Sequence, residues 1–530
     1  MPAEAGLTSG GAPVAPVLMK RRILASVLMP FGLAAAFPAA GAVSAAPVLP
    51  ADIAPAIAAA QQAGQRDDCV GVLRALDPLV PALEPGAERT DVQRMRMLCL
   101  GRESRIAELD EVQRELVELL PRDGVVRAFG VLIAADQKRF ADAADQLATL
   151  AATTPASLDM FSAAAIREIS GQLAEPGGRA ARERMLIALA RADWAPADQP
   201  DMRAGFAEAA ISALAERGET ADAEGLLERI DQPDTLTTMV VDRHYASLWP
   251  AIEARLGPAG SLAADRYARD RLDVFATSPD TEGALRDAAD AMLMLGRYQD
   301  VVDMTGQTGV ATGMSRDAVQ IVLIRSRALD MLGRKDEVVQ LLRGFTSVDL
   351  ARTPGATMAL ITYVEFLDDN RRWAQGLEAA RAAKVQGAGV FNDFGLRWLD
   401  RTEICTLSAL GRTSEADAAL ARLRPLAAQN HAAVIEALLC ARRDEEAAAL
   451  ALSAFKDDEA GTELVFQFQP SGSLWAATPS RLRDLWAAFL ARRDVKAAFE
   501  RRGRILPRAF WPGREPRAIP RGRGAGSALT

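Results

Sequence analysis

The chain has 530 residues, 49% of them hydrophobic, 25% charged and only 5% aromatic, with a net charge of −8. This is ample apolar material for a core, but it is poor in the aromatic residues that favour strands, so an all-α fold is expected over a sheet-based one. A mildly acidic balance gives no general attraction for nucleic acid.

At the amino terminus, Met19-Lys20-Arg21-Arg22 precedes an uncharged stretch from Ile23 to Pro50, with the small residues Val43-Ser44-Ala45 placed as a cleavage site. The pattern predicts a secretory signal peptide over residues 1–45, and its length is ordinary when translation starts at Met19. The alternative is an uncleaved inner-membrane anchor, since the stretch could cross a hydrocarbon layer of about 30 Å. Pro30, Pro38 and an Ala/Gly-rich second half suit the cleaved form.

Residues 46–455 carry a repeated pattern. Leu295-Gly296-Arg297-Tyr298-Gln299-Asp300-Val301, Leu332-Gly333-Arg334-Lys335-Asp336-Glu337-Val338 and Leu410-Gly411-Arg412-Thr413-Ser414-Glu415-Ala416 each end one helical run and begin another. Taking Gly or its stand-in as marker places turns at Gly64, Gly101, Lys138, Gly178, Gly218, Gly257, Gly296, Gly333, Arg371, Gly411 and Arg442, spaced by 31 to 40 residues. Apolar residues flank each marker at helical spacing, as in Val338, Leu341, Leu342 and Phe345. About eleven helix hairpins are expected.

These turns resemble those of the tetratricopeptide repeat, whose two helices are joined where a Gly can adopt a left-handed conformation. The resemblance covers roughly residues 51–455. It implies an α-solenoid, a right-handed superhelix whose first helices line a concave groove for a peptide or partner helix. Most units here exceed that family's 34 residues by about three to six.

Residues 456–505 read as a carboxy-terminal helical cap. Within it Glu463–Gln469 alternates apolar and polar residues, as a short extended piece would. Residues 506–530, rich in Pro, Gly and Arg, are expected to be disordered past Trp511. From Arg481 to the end, 13 Lys/Arg face 4 Asp/Glu, so the tail is either solvated or in contact with an anionic envelope surface.

Four cysteines allow three pairings, and separations near one repeat select Cys69 with Cys99 and Cys405 with Cys440. Disulfides there suit an oxidising compartment; buried free thiols are the alternative. No metal site is expected, because C-x-x-C pairs are absent and the histidines number two, His244 and His431. His244 reads as a helix residue without a nucleophile beside it, and His431 as the start of a helix. The carboxylates Asp368-Asp369 and Asp457-Asp458-Glu459 read as solvated helix ends. The Glu103-Ser104 pair, of the kind soluble lytic transglycosylases use, falls in a turn, and the space after the repeats is too short for their catalytic domain. No catalytic residue and no cofactor are expected, and no ligand-binding residue can be singled out.

The sequence therefore predicts an exported, non-catalytic interaction scaffold of the bacterial periplasm or envelope, with protein or peptide partners and no nucleic acid. Membrane contact would run through the basic tail. A component of envelope assembly or polysaccharide export is the alternative, and a transglycosylase-like enzyme a disfavoured third.

Overall fold

The computed structural model describes residues 53–472, 474–513 and 515–521. The expected signal peptide, the Met19 start and residues 522–530 lie outside the described residues. Among those described there is no β-strand, only an isolated antiparallel bridge between Asp242 and Gly503. No described helix is long and apolar enough to cross a membrane.

The chain divides into two compact units at Arg229–Ile230, inside the array read from the sequence. The first contains α1 (Ile53–Gln65), α2 (Cys69–Leu76), α3 (Ala87–Arg102), α4 (Ile106–Leu119), α5 (Gly124–Asp136), α6 (Phe140–Thr153), α7 (Ala163–Gln172), α8 (Arg179–Arg191), α9 (Met202–Glu216) and α10 (Thr220–Leu226). The second begins with α11 (Pro233–Val241), α12 (Trp249–Leu256) and α13 (Ser261–Thr277). Five hairpins follow: α14 (Glu282–Met294) with α15 (Tyr298–Thr305), α16 (Arg316–Met331) with α17 (Lys335–Arg343), α18 (Ala356–Asp369) with α19 (Trp373–Gln386), α20 (Asp393–Ala409) with α21 (Thr413–Leu423), and α22 (His431–Cys440) with α23 (Asp444–Ala454). It ends with α24 (Asp458–Gln467), α25 (Arg481–Leu490) and α26 (Arg493–Arg502).

One local device closes the hairpins. In α14/α15 the Arg297 N–H donates to Met292 O at 3.0 Å across Gly296, which sits at φ 71°. The same bond, five residues back, recurs from Arg334 to Leu329 and from Arg412 to Leu407, across Gly333 and Gly411. It satisfies a carbonyl that the ending helix leaves open. At three of the markers read from the sequence, Lys138, Arg371 and Arg442 take the left-handed region instead of glycine, at a cost of roughly 1–2 kcal/mol each. The arginine that follows the turn residue then pairs with a carboxylate three residues on, in the first turn of the second helix: Arg297 with Asp300, Arg334 with Glu337, Arg412 with Glu415. An acid there also faces the positive end of the helix.

Three markers are displaced. Gly64 and Gly101 lie inside α1 and α3, and the left-handed residues are Asp67 and Ser104. Gly101 serves packing: a Cβ there would come within 2.6 Å of the Phe129 ring. Gly178 caps α8 at φ −96° and lets Leu173 approach, while the left-handed turn of that region is at Asp193.

In the second unit the first helices α14, α16, α18, α20 and α22 pack in succession, backed by the second helices of their hairpins. Ala289, Leu293, Val301, Ile324 and Ala328 form one such contact between neighbouring hairpins. Small residues bring the helices close, and each fully buried Leu or Ile contributes about 1.5–3 kcal/mol. Cys69 and Cys99 are brought together with their Cα atoms 4.9 Å apart, and Cys405 and Cys440 at 5.0 Å, both at disulfide distance.

The stretch read as extended, Glu463–Gln469, is the end of α24. Leu464, Val465 and Phe468 are its buried face, and that spacing fits a helix as well as the alternation fits a strand. Asp457 caps it by accepting from the Ala460 N–H at 2.9 Å. Phe468 lies against Trp486, with ring centroids 4.9 Å apart, and against Phe455, Phe489 and Phe499. The described tail also differs from the expected disorder. Arg517 donates its backbone N–H to Leu295 O at 2.8 Å and its side chain to Ser261 O and Asp265, and Arg269 reaches Arg521 O. The Arg517 guanidinium finds acceptors on α13 and its backbone N–H one at the end of α14, which composition alone does not reveal.

Candidate functional site

The site starts from charges that helix electrostatics disfavours. Asp330 ends α16, and Asp368 and Asp369 end α18, where a carboxylate meets the negative end of the helix and costs about 0.3–1 kcal/mol. Measured from the turn residue of each hairpin, Asp330 and Asp368 stand three positions before it, and Asp290, Arg327, Glu365 and Glu436 six positions before it. Three and six residues apart is one helix face, so four of the five first helices, α14, α16, α18 and α22, present a row of mostly acidic side chains, while α20 has Cys405 and Ser408 at these positions.

That row holds a segment of the chain itself. Between α24 and α25 the backbone leaves helical structure and crosses the layer of first helices as a strap. The Trp475 indole N–H donates to Asp234 of α11 at 2.6 Å, and Tyr298 Oη donates to Trp475 O at 3.2 Å. Thr478 Oγ1 donates to Asp330 at 2.8 Å. Arg481 donates to Asp368 at 2.9 Å, and the Leu482 N–H to Asp369 at 3.1 Å. Trp486, in α25, donates to Glu436 of α22 at 2.6 Å. Residues 475 to 486 thus meet α11, α16, α18 and α22 in chain order. Trp475 is buried against Tyr267, Ala291, Met294 and Leu295.

Burial dominates the electrostatics. Asp368 is fully buried, and desolvation pushes its carboxyl up to about 6 against the pull of Arg481 and Arg401. At Asp290 desolvation, and after it the negative Asp234, push the carboxyl up to about 7, with Arg327 opposing. Asp234 and Asp369 are raised by burial too, and the bonds from Trp475 and Leu482 act the other way. Arg401 is wholly buried, 3.0 Å from Glu436 and 3.3 Å from Glu365, with its guanidinium over the Trp398 ring. One internal cation therefore faces Glu365, Asp368, Asp369 and Glu436, and the strap supplies the second, Arg481.

Asp368 and Asp369 are consequently not the solvated helix end that their sequence suggested, because the strap covers them. Asp457, Asp458 and Glu459 are exposed and cap α24. His244 lies in a 3-10 turn, exposed, its ring edge-on to Tyr245; the expected helix is interrupted after α11. His431 begins α22, capped by Asn430, and burial lowers its pKa. Ser104 is in the α3/α4 turn. Among the described residues no group of three or more His, Cys, Asp or Glu is placed to hold a metal. Of the tail arginines, Arg502 pairs with Asp458, Arg504 with Glu253 and Arg517 with Asp265. The first unit has a cavity of about 430 Å³ lined by Arg184, Arg191 and Arg217, each already paired with a carboxylate.

No family model and no curated protein matches the chain. Among solved structures, a chain of one described as "Structure of Naa15/Naa10 bound to HypK-THB" is similar at 12% identity, over 85% of this chain and 79% of that chain, with a TM-score of 0.24. The all-α, helical-repeat character rests on the recurrent hairpins themselves, which fit a tetratricopeptide-like array.

Proposed function

We propose that this protein is an exported, non-catalytic protein-binding scaffold of the bacterial periplasm or envelope. The observation that carries the reading is the strap: the layer of first helices holds a length of polypeptide through side-chain carboxylates. A surface that grips one peptide through indole, hydroxyl and guanidinium donors has the chemistry to grip another. Export is supported by the basic-then-uncharged stretch after Met19 and by two cysteine pairs within bonding reach.

The test is to express the full chain in a Gram-negative host, fractionate the cells, and crosslink the intact protein in its envelope. The expected result is a periplasmic or envelope-bound protein beginning near Ala46, with no titratable thiols and a discrete set of crosslinked partners. Retention in the cytoplasm with reduced cysteines would refute export. Absence of adducts at every probe position would refute the scaffold reading, and cell-wall cleavage in a zymogram would refute the non-catalytic one.

A further inference from the structure

We infer that the strap-bearing face of the second unit is a binding site for a basic partner segment carrying an indole, a hydroxyl three residues later and a guanidinium three residues after that, and that Trp475-x-x-Thr478-x-x-Arg481 is a resident occupant which the partner displaces. The inference rests on the scaffold reading above and names the site and its ligand chemistry.

Three observations carry it. First, the face cannot be left bare. Asp234, Asp330, Asp368, Asp369 and Glu436 all accept from residues 475–486, and a buried carboxylate stripped of its donor is strongly destabilising. Whatever replaces the strap must bring equivalent donors and at least one cation, since Arg401 alone faces four carboxylates there. Second, the grip is on side chains. Within Trp475–Leu482 the main chain contributes only Trp475 O and the Leu482 N–H to this face, so recognition depends on which side chains stand three residues apart. Third, the resident does not satisfy the site. Asp330 Oδ1 is buried without a hydrogen-bond partner, and Arg327 acts on Asp234 and Asp290 by charge. A cavity of about 130 Å³ remains beside the start of the strap, lined by Asp234, Arg327, Gln469, Leu474 and Trp511. A partner that fills this space and bonds Arg327 would hold the face better than the chain's own segment.

An attached segment competes at an effective concentration on the order of 1 mM, so a free peptide must show weak apparent binding until the resident is loosened. The probe is a fluorescein-labelled peptide with the sequence of residues 470–484, titrated into the full-length oxidised protein and its Trp475→Ala/Thr478→Ala variant. Expected is apparent affinity at least tenfold higher for the variant, lost on adding Asp330→Ala and Asp234→Ala to it, which removes both acceptors, and absent for a scrambled peptide. Thr478→Val, which removes one hydroxyl at nearly constant volume, gives a gain of about threefold and keeps the test alive should the double variant fail to fold. Equal binding to the original chain and a folded variant, or no binding to either, overturns the inference. Envelope crosslinks persisting alongside that negative result would leave the scaffold reading standing and move its site elsewhere.

Discussion

Arg481→Ala should cost stability in a way that depends on pH. Arg481 donates to Asp368, whose side chain is 0% exposed, and the other cation near that carboxylate, Arg401, is 3.9 Å away. Breaking a buried pair costs about 3–5 kcal/mol when the remaining charge is left alone; Arg401 and uptake of a proton temper this, leaving about 2–3 kcal/mol at pH 7.5. The folded Asp368 carboxyl, at about 6, lies above an unfolded value of about 3.9. The folded chain therefore holds the extra proton between about pH 4 and 6, and stability falls as pH rises through that window, by about 3 kcal/mol for this group. At pH 5 Asp368 is largely protonated and needs Arg481 less, so the variant should lose under about 1 kcal/mol there. Urea unfolding followed by tryptophan fluorescence, disulfides intact, at pH 5.0 and 7.5 measures the difference. Asp290 and Glu463, both pushed up to about 7, titrate nearby, but largely cancel between the original chain and the variant. A loss equal at both pH values, or larger in acid, would refute the reasoning. Asp368→Asn should itself abolish the pH dependence of the Arg481→Ala effect.

The turns give a pair of opposite effects: Gly333→Ala, at φ 73° with open space around it, should lower stability by about 1 kcal/mol, whereas Arg371→Gly, at φ 62°, should raise it by about 0.5–1 kcal/mol. Thermal unfolding of both variants checks the signs. Reducing the bridge between Cys405 and Cys440, which closes a 35-residue separation, should cost on the order of 3–4 kcal/mol in the chain-entropy picture; urea midpoints of Cys405→Ser/Cys440→Ser against the oxidised chain give the value. Thiol titration of the denatured, unreduced protein should find none free.

The hairpins were legible in the sequence because their determinants are local. A left-handed residue, an arginine after it and an acid three positions on fall within six residues, as at Gly296-Arg297…Asp300 and Gly333-Arg334…Glu337. Where the reading slipped, a second use of glycine competed: Gly101 and Gly178 are small so that Phe129 and Leu173 can approach, and φ never enters. Pairing of the cysteines followed from repeat spacing. The strap was not legible, since Trp475 and Asp234 are 241 residues apart and Arg481 and Asp368 are 113 apart, and no periodicity connects such positions. A trace of it was present. Asp330, Asp368 and Asp369 occupy helix ends that repel them, a placement that asks for a donor arriving from elsewhere.

In an ordinary stack of hairpins each member touches only its neighbours, so the array can fray from either end and lose its members one after another. The strap ties α11 to α16, α18 and α22 with a single thread, like a cord laced through the rungs of a ladder. In the second unit, melting of a middle hairpin would slacken that cord for all the others. Its members should therefore come apart together, and a pull applied at the carboxy terminus should be shared along the whole row.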